Sequence, residues 1–349
     1  MDQSTSTARD ATGSPSNRKG TGSPSEPRVD VGLDRLSLSF PVSNLDERPE
    51  RWDEERRRQT PDGPVRTFSK VERVGGVKVF VSVQEVPEAQ ASRWWGKVEG
   101  NPSRLCDPEG VGLVGVDGLA EAVGLLTLAV ETALEPSEPV ERWRVKRLDV
   151  ARDFSEVEDP GRLIRGLAPV HRPHSRRNLV HADPARNRAE TLMVGSGAGV
   201  VRLYNKHTES EGRAPEGTVR WEGECRKDWC KRYGEIGRLG DLRAESVAEL
   251  AENRWEWSGM GVEVASTVGR LVQATAHSDL SERERVFFVG WLMCEAAGQP
   301  VRDLSKATLA KYRRVQREVG IAAPVDLTAQ VQVVSRLDWE SGRELLRVA

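Results

Sequence analysis

Tyr204 stands between two cations in residues 200–209, VVRLYNKHTE. Strand alternation puts Val201, Leu203 and Asn205 on one face and Arg202, Tyr204 and Lys206 on the other. A phenol between cations is suited to attack a phosphate, because nearby positive charge favours phenolate over the ordinary phenol pKa of about 10. A tyrosine in a strand is more often half-buried packing with a wet hydroxyl. The company this strand keeps therefore decides between the two readings.

Three other segments carry polar faces of the same kind. In 145–154 (VKRLDVARDF), Arg147, Asp149, Ala151 and Asp153 share a face. In 218–226 (TVRWEGECR), Arg220, Glu222, Glu224 and Arg226 share one, and Trp221 points away. Lys97 and Glu99 share another in 94–99 (WWGKVE). Any half-solvated antiparallel sheet alternates in this way. Acids interleaved with arginines on several strands at once suit phosphodiester chemistry in addition. Carboxylates hold a hard divalent cation, magnesium or manganese, the cation polarises a phosphoryl oxygen, and a hydroxyl attacks. No set of His and Cys points to zinc.

Taken in order, KRLDVARDF, VRLYNKHTE and VRWEGECRKDW resemble the signature of the trans-acting replication initiation factors. These are rolling-circle initiators of small Gram-positive plasmids, with relatives among phage replication proteins and the relaxases of conjugative elements. The family pattern is R-x-D-x-x-x-D-F, then R-x-Y-N-K, then R-x-E-x-E, and Val98-Glu99-Gly100-Asn101-Pro102 resembles a further acid-bearing segment. The resemblance runs from about Arg35 to Trp229; Gly223 and Cys225 replace larger residues common in the family. It implies a DNA-nicking and rejoining enzyme whose tyrosine stays joined to the 5′ phosphate and leaves a 3′ hydroxyl as primer. Carried over, Tyr204 is the nucleophile, and Arg202 and Lys206 hold the phosphate or the developing phenolate. Asp149, Glu222 and Glu99 are the metal ligands, with Asp153 and Glu224 as substitutes. The implied partner is DNA, as replication origin and nicked strand, with a host helicase and a second copy of the chain as further candidates. A conjugative relaxase would use the same chemistry. A non-catalytic single-strand binder would use the same basic sheet, but should show paired exposed aromatics. In a purely structural domain the three motifs would be coincidence.

The chain has only three tyrosines, so Tyr233 and Tyr312 are rival nucleophiles. Tyr312 lies in the basic segment 305–318 and reads as a surface residue beside DNA-facing Lys306, Lys311, Arg313, Arg314 and Arg317. His171 and His174 are separated by Arg-Pro, which is not a paired-histidine metal motif, and they read as loop residues. The run 195–199 (GSGAG) lacks the Gly-Lys-Ser/Thr ending of a phosphate loop and reads as a hairpin turn.

These side chains need a sheet to position them. The spacing predicts strands over 35–40, 77–86, 94–99, 145–154, 191–194, 200–206 and 218–226, and helices over 119–134 and 162–167. Residues 171–188 read as an irregular basic loop, and 47–58 as a solvated helix or a linker. After Trp229, segments 244–257, 282–297, 305–318 and 327–346 read as helices. The expected class is α+β, a largely antiparallel sheet with flanking helices plus a helical C-terminal part. The expected organisation is a disordered tail over 1–30, a nicking domain over 31–232 and a helical region over 233–349, where origin specificity would lie.

The formal net charge of the 349 residues is only -2. Basic residues outnumber acidic ones 20 to 13 between Arg142 and Arg232, and the balance reverses to 6 against 11 between Glu235 and Pro300. Such asymmetry fits a polyanion-facing region. Cys106, Cys225, Cys230 and Cys294 form neither a disulfide framework nor a zinc pattern, so a reducing cytoplasm is expected. No apolar run is long enough for a signal core or a membrane span, and no membrane partner is expected.

Overall fold

The alternating segments form one sheet whose two faces have different fates. The computed structural model describes residues 31–43, 45, 52, 54–60, 63–87, 92–168, 176–183, 188–196, 199–265, 268–276, 278–296, 301, 303–322 and 333–348. Residues 1–30, expected as a disordered tail, and His171 and His174 lie outside them. The sheet's strands are β1 (Gly32–Pro41), β2 (Glu54–Thr60), β3 (Gly63–Val74), β4 (Val77–Pro87), β5 (Ser92–Gly100), β6 (Arg144–Phe154), β7 (Arg176–Asp183), β8 (Arg188–Ser196), β9 (Gly199–Asn205) and β10 (Val219–Arg226). They form a ten-stranded sheet in the order β2-β3-β4-β5-β1-β6-β10-β9-β8-β7, antiparallel at every pairing. The protein is α+β, as its patterning predicts.

Core-facing residues fix the register. Leu148, Val150 and Phe154 of β6 are fully buried, as are Val79, Val81 and Val83 of β4 and Leu203 and Trp221 of β9 and β10. Each such side chain contributes about 1.5–3 kcal/mol by leaving water. A slip of one residue would turn the acids of β6 into the apolar core and move its apolar set to the polar face. Helices α1 (Pro102–Cys106), α2 (Leu119–Glu131), α3 (Pro160–Leu167), α4 (Lys206–Glu209), α5 (Lys227–Gly234) and α6 (Ala244–Ser258) join these strands or pack on them. Ala122, Leu126, Ala129 and Val130 recur at helical spacing in α2 and are buried in the main core. Gly223 allows a close approach from behind the sheet. A Cβ there would lie 2.7 Å from Cγ of Arg254, whose guanidinium sits between Trp229 and Trp257 at 4.5 and 4.2 Å. The small residue in the third motif thus has a packing reason.

The C-terminal part is mostly helical, with α7 (Val268–Ala274), α8 (Glu282–Ala296) and α9 (Lys306–Val319) after α6. It also holds a four-stranded sheet that the sequence reading missed. This sheet has the order β12-β11-β13-β14, made of β11 (Glu263–Ala265), β12 (Ile321–Ala322), β13 (Val333–Asp338) and β14 (Arg343–Val348). The helix expected over 327–346 is therefore wrong where it is described. The chain reverses through a turn with Gly342 at φ +67°, and Asp338 pairs with Arg343. Trp339 in that turn packs 5.0 Å from Trp255 and 5.2 Å from Trp221, behind β10. Helices α7, α8 and α9 surround a second, smaller core containing Leu271, Phe288, Leu292, Tyr312 and Val315.

Two further expectations are corrected. Part of the basic loop over 171–188 is β7, paired antiparallel with β8. The segment 47–58 is neither wholly helix nor linker, since β2 begins at Glu54 and pairs with β3. The 195–199 turn joins β8 and β9 as a hairpin, with Ser196 opposite Gly199. Among the described residues no helix is long and apolar enough to cross a membrane.

Candidate active site

Strand pairing builds the site directly. Arg220 lies opposite Tyr204 on β9 and opposite Asp153 on β6; Glu222 lies opposite Arg202 and Ala151; Glu224 lies opposite Asp149. The face predicted from alternation exists, with the small, buried Ala151 directly across from Glu222. Tyr204, Arg202, Glu222, Arg220 and Glu99 all line one cavity of about 840 Å³. Lys206 lines it too, though not from a strand. Strand β9 ends at Asn205, whose side-chain oxygen caps α4 by accepting the Thr208 N–H at 3.1 Å. Lys206 is the first residue of that helix; its Nζ donates to Glu209 at 2.6 Å and lies 5.8 Å from the Tyr204 ring centre.

Tyr204 is 8% exposed, and its hydroxyl donates to Oε1 of Glu222 at 2.5 Å. The expected phenolate is corrected here. Burial, then the Glu222 carboxylate, push the hydroxyl far above the ordinary phenol range, and Arg220 only partly opposes them. The cations are close, but desolvation and an adjacent anion outweigh them. At rest the group is a neutral phenol bonded to a carboxylate. Glu222 is itself raised above the usual carboxylate range, first by burial and then by the Asp34 carboxylate, against Tyr204, Arg202 and Arg220. Arg202 Nη1 lies 3.4 Å from Glu222 Oε2. Arg220 is locked in place, donating through Nε and Nη2 to both oxygens of Asp153 at 2.6 and 2.7 Å and to the Val111 carbonyl at 2.6 Å.

The five carboxylates expected to hold a metal do not converge. Asp149 accepts two bonds from Arg147, at 2.7 and 2.6 Å. Glu224 faces Arg147 at 3.3 Å and Arg226 at 2.7 Å, and Asp153 is taken by Arg220. None of the three lines the cavity. Glu99 does, but it is paired with Arg35 at 3.2 Å and Lys97 at 2.9 Å. Burial opposes its charge, yet Lys97, Arg35 and Arg147 together hold it below the ordinary range. Among the described residues no three acidic, histidine or cysteine side chains are grouped to hold an ion. The interleaving of acids and arginines that suggested a metal cluster instead produces ion pairs between neighbouring strands.

A residue absent from the sequence motifs changes the picture. Asp34 lines the cavity, and its carboxylate accepts from Asn101 Nδ2 at 3.1 Å. It reaches this face through a β-bulge. Leu33 pairs with Val150 and Arg35 with Asp149, so β1 spends two residues where β6 spends one. Leu33 and Leu36 stay in the core while Asp34 and Arg35 both turn to the cavity. A magnesium-type ion needs only one or two carboxylates together with substrate phosphates and its own waters. The pair Asp34 and Glu222, which repel each other across the cavity, fits that need, with Glu222 kept from the expected set and Asp149, Asp153 and Glu224 outside the cavity.

The rival tyrosines lie elsewhere. Tyr312 is not on a helix surface. It is 3% exposed in the second core, 5.5 Å from Phe288 and 5.7 Å from Trp291 by ring centres. Tyr233 packs against Trp229 on α5, with ring centres 4.4 Å apart and planes tilted by 37°. Of the basic residues on α9, Lys311 pairs with Glu284 at 2.6 Å and Arg314 with Glu318 at 3.6 Å. Compared with known proteins, the chain matches no family model and no curated sequence, and the geometry of Tyr204, Glu222 and their cations is the ground for its functional reading.

Proposed function

We propose that the protein nicks and rejoins a DNA strand through a covalent 5′-phosphotyrosine on Tyr204, as a rolling-circle replication initiator. The single observation that carries this is the hydrogen bond from Tyr204 to Glu222 on the floor of a cavity that several basic side chains line. A neutral phenol needs a base within hydrogen-bond reach, and Glu222 Oε1 is already there. Glu222 takes the phenol proton as the tyrosine oxygen bonds to phosphorus, and the 3′ oxygen departs and takes a proton from water to become the 3′ hydroxyl. Arg220, directly across the ladder and held by Asp153, meets the charge that develops on the tyrosine oxygen. Arg202 and Lys206 face the phosphate oxygens. The bond to tyrosine retains the phosphodiester's reactivity, so a 3′ hydroxyl can reverse the step and reseal the strand.

A magnesium or manganese ion would be held by Asp34 and Glu222, and would supply charge neutralisation at a phosphate oxygen. The motif order, which resembles that of the trans-acting replication initiation factors, supports the same assignment. Conjugative relaxases share this chemistry, and the origin that the protein cuts separates the two roles. Origin selection is assigned to the C-terminal helices, with Lys306, Arg313 and Arg317 of α9 as phosphate contacts.

The test is denaturing electrophoresis of the full chain with supercoiled DNA, and with a labelled oligonucleotide, carrying the element's own origin. A covalent adduct is expected, mapping to Tyr204 and lost in Tyr204→Phe. An adduct on Tyr233 or Tyr312, or one that survives in Tyr204→Phe, overturns the proposal.

A further inference from the structure

The cavity does not end at the tyrosine. Its far wall is the β3–β4 hairpin, which contributes Arg73, Gly75, Gly76, Val77, Lys78 and Phe80. Phe80 alternates with the buried Val79 and Val81, so it stands on the same sheet face as the acids, directly opposite Glu99. It is 54% exposed, and its cross-strand neighbour Val71 is 43% exposed. A large aromatic ring set open on a charged face has no packing explanation, because the core it would serve lies behind the sheet. Cations surround it: Arg73 and Lys78 face each other at the hairpin tip, and Arg35 and Lys97 meet Glu99 beside it. Five strand spacings separate β4 from β9, about 24 Å along the sheet. That is several nucleotides from the tyrosine.

An exposed ring flanked by cations is the arrangement that binds an unpaired nucleobase. Every base has a face to stack, and the phosphates on either side need positive partners. We infer that Phe80 is a stacking platform for a base of single-stranded DNA held in the same cavity, with Arg73 and Lys78 contacting its flanking phosphates. The inference deepens the proposed function and rests on its premise that this face carries a polynucleotide, but not on cleavage.

The experiment therefore reads binding alone, in the full chain carrying Tyr204→Phe. Fluorescence anisotropy is measured with labelled oligodeoxythymidine and with a chain of abasic sites of equal length. Phe80→Ala should weaken oligodeoxythymidine binding about tenfold and leave the abasic chain unchanged, and Phe80→Trp should keep the affinity of the parent. Arg73→Gln with Lys78→Gln should weaken both probes. Equal affinity for oligodeoxythymidine in Phe80→Ala and its parent, equal weakening toward both probes, or no binding by the parent overturns the inference. Failure of the adduct assay beside a positive result here would remove the nicking reading and leave a single-strand binder.

Discussion

Glu222 and Asp149 sit on neighbouring strands of one sheet face, and burial raises both carboxylates above their ordinary range. Their partners differ. Asp149 accepts both bonds of the two-pronged Arg147 and does not line the cavity. Glu222 spends one oxygen on the Tyr204 hydroxyl, keeps Arg202 at the longer distance of 3.4 Å, and faces Asp34. A buried carboxylate saturated by a fork-shaped guanidinium is a structural part. One that holds a weak acid beside open space is available to take a proton. The same alternating pattern of acids and arginines thus yields a brace at Asp149 on β6 and an accessible proton acceptor at Glu222 on β10.

The comparison breaks first at Glu222. Glu222→Gln keeps a hydrogen-bonding oxygen but removes the base, and adduct formation should fall by roughly 10²–10⁴-fold. Single-turnover rates with the origin oligonucleotide measure this, and a loss of less than a few fold would mean Glu222 is not the base. Asp149→Asn should do the opposite. It leaves Arg147 without its bidentate partner and should cost about 2 kcal/mol in stability, read by urea unfolding, with an unchanged adduct rate per folded molecule. A catalytic collapse without loss of stability would return Asp149 to the reaction centre.

A finer probe is Asp34→Asn. Glu222 must be ionised to act, so the rate rises with pH through its elevated pKa. The groups facing it are Asp34, Tyr204, Arg202 and Arg220, and only Asp34 among them raises it. Removing that charge lowers the Glu222 pKa in the metal-free protein, so the Glu222 carboxyl titration, followed by NMR in excess chelator, should move to lower pH. An unmoved titration would separate Asp34 from the base. Smallest of all is Tyr312→Phe, which should leave the adduct rate as it is, since the ring packs in the second core. Peptide mapping and single-turnover assays on this variant serve as the reference for the other three.

Much of the site was legible because strand parity is a rigid rule. Residues two apart share a face, so Tyr204 with Arg202, Glu222 with Arg220, and Asp149 with Asp153 could each be placed without a structure. Asp34 could not, because it reaches the face through a bulge, and a bulge breaks parity. The state of the tyrosine was misread for a different reason. Sequence shows which charges are near but not how deeply they are buried, and burial dominates here. Lys206 was assigned to the strand because nothing in the alternation marks Asn205 as a helix cap, though Asn is a common one. The last hairpin was read as helix because its apolar residues fit that spacing as well, and only Gly342 marks the reversal. Tyr312 was placed on a surface because the basic residues of α9 drew attention from the apolar ones between them.

The closing turn that carries Trp339 sets an order in time. Arg152 of β6 donates to the carbonyl of Glu340, 188 positions later in the chain, and Trp339 seals the rear of β10 against Trp221. At elongation rates of about 5–20 residues per second, the ribosome needs roughly 10–40 s to add that stretch. For roughly the last 6–23 s of it, β9 and β10 are complete, and Trp221 meets Trp255 of α6 but not yet Trp339. A chain released before the turn emerges would carry every residue of the candidate site without the Trp339 part of the packing behind it. Premature termination should therefore yield an incompletely closed sheet rather than a smaller complete domain.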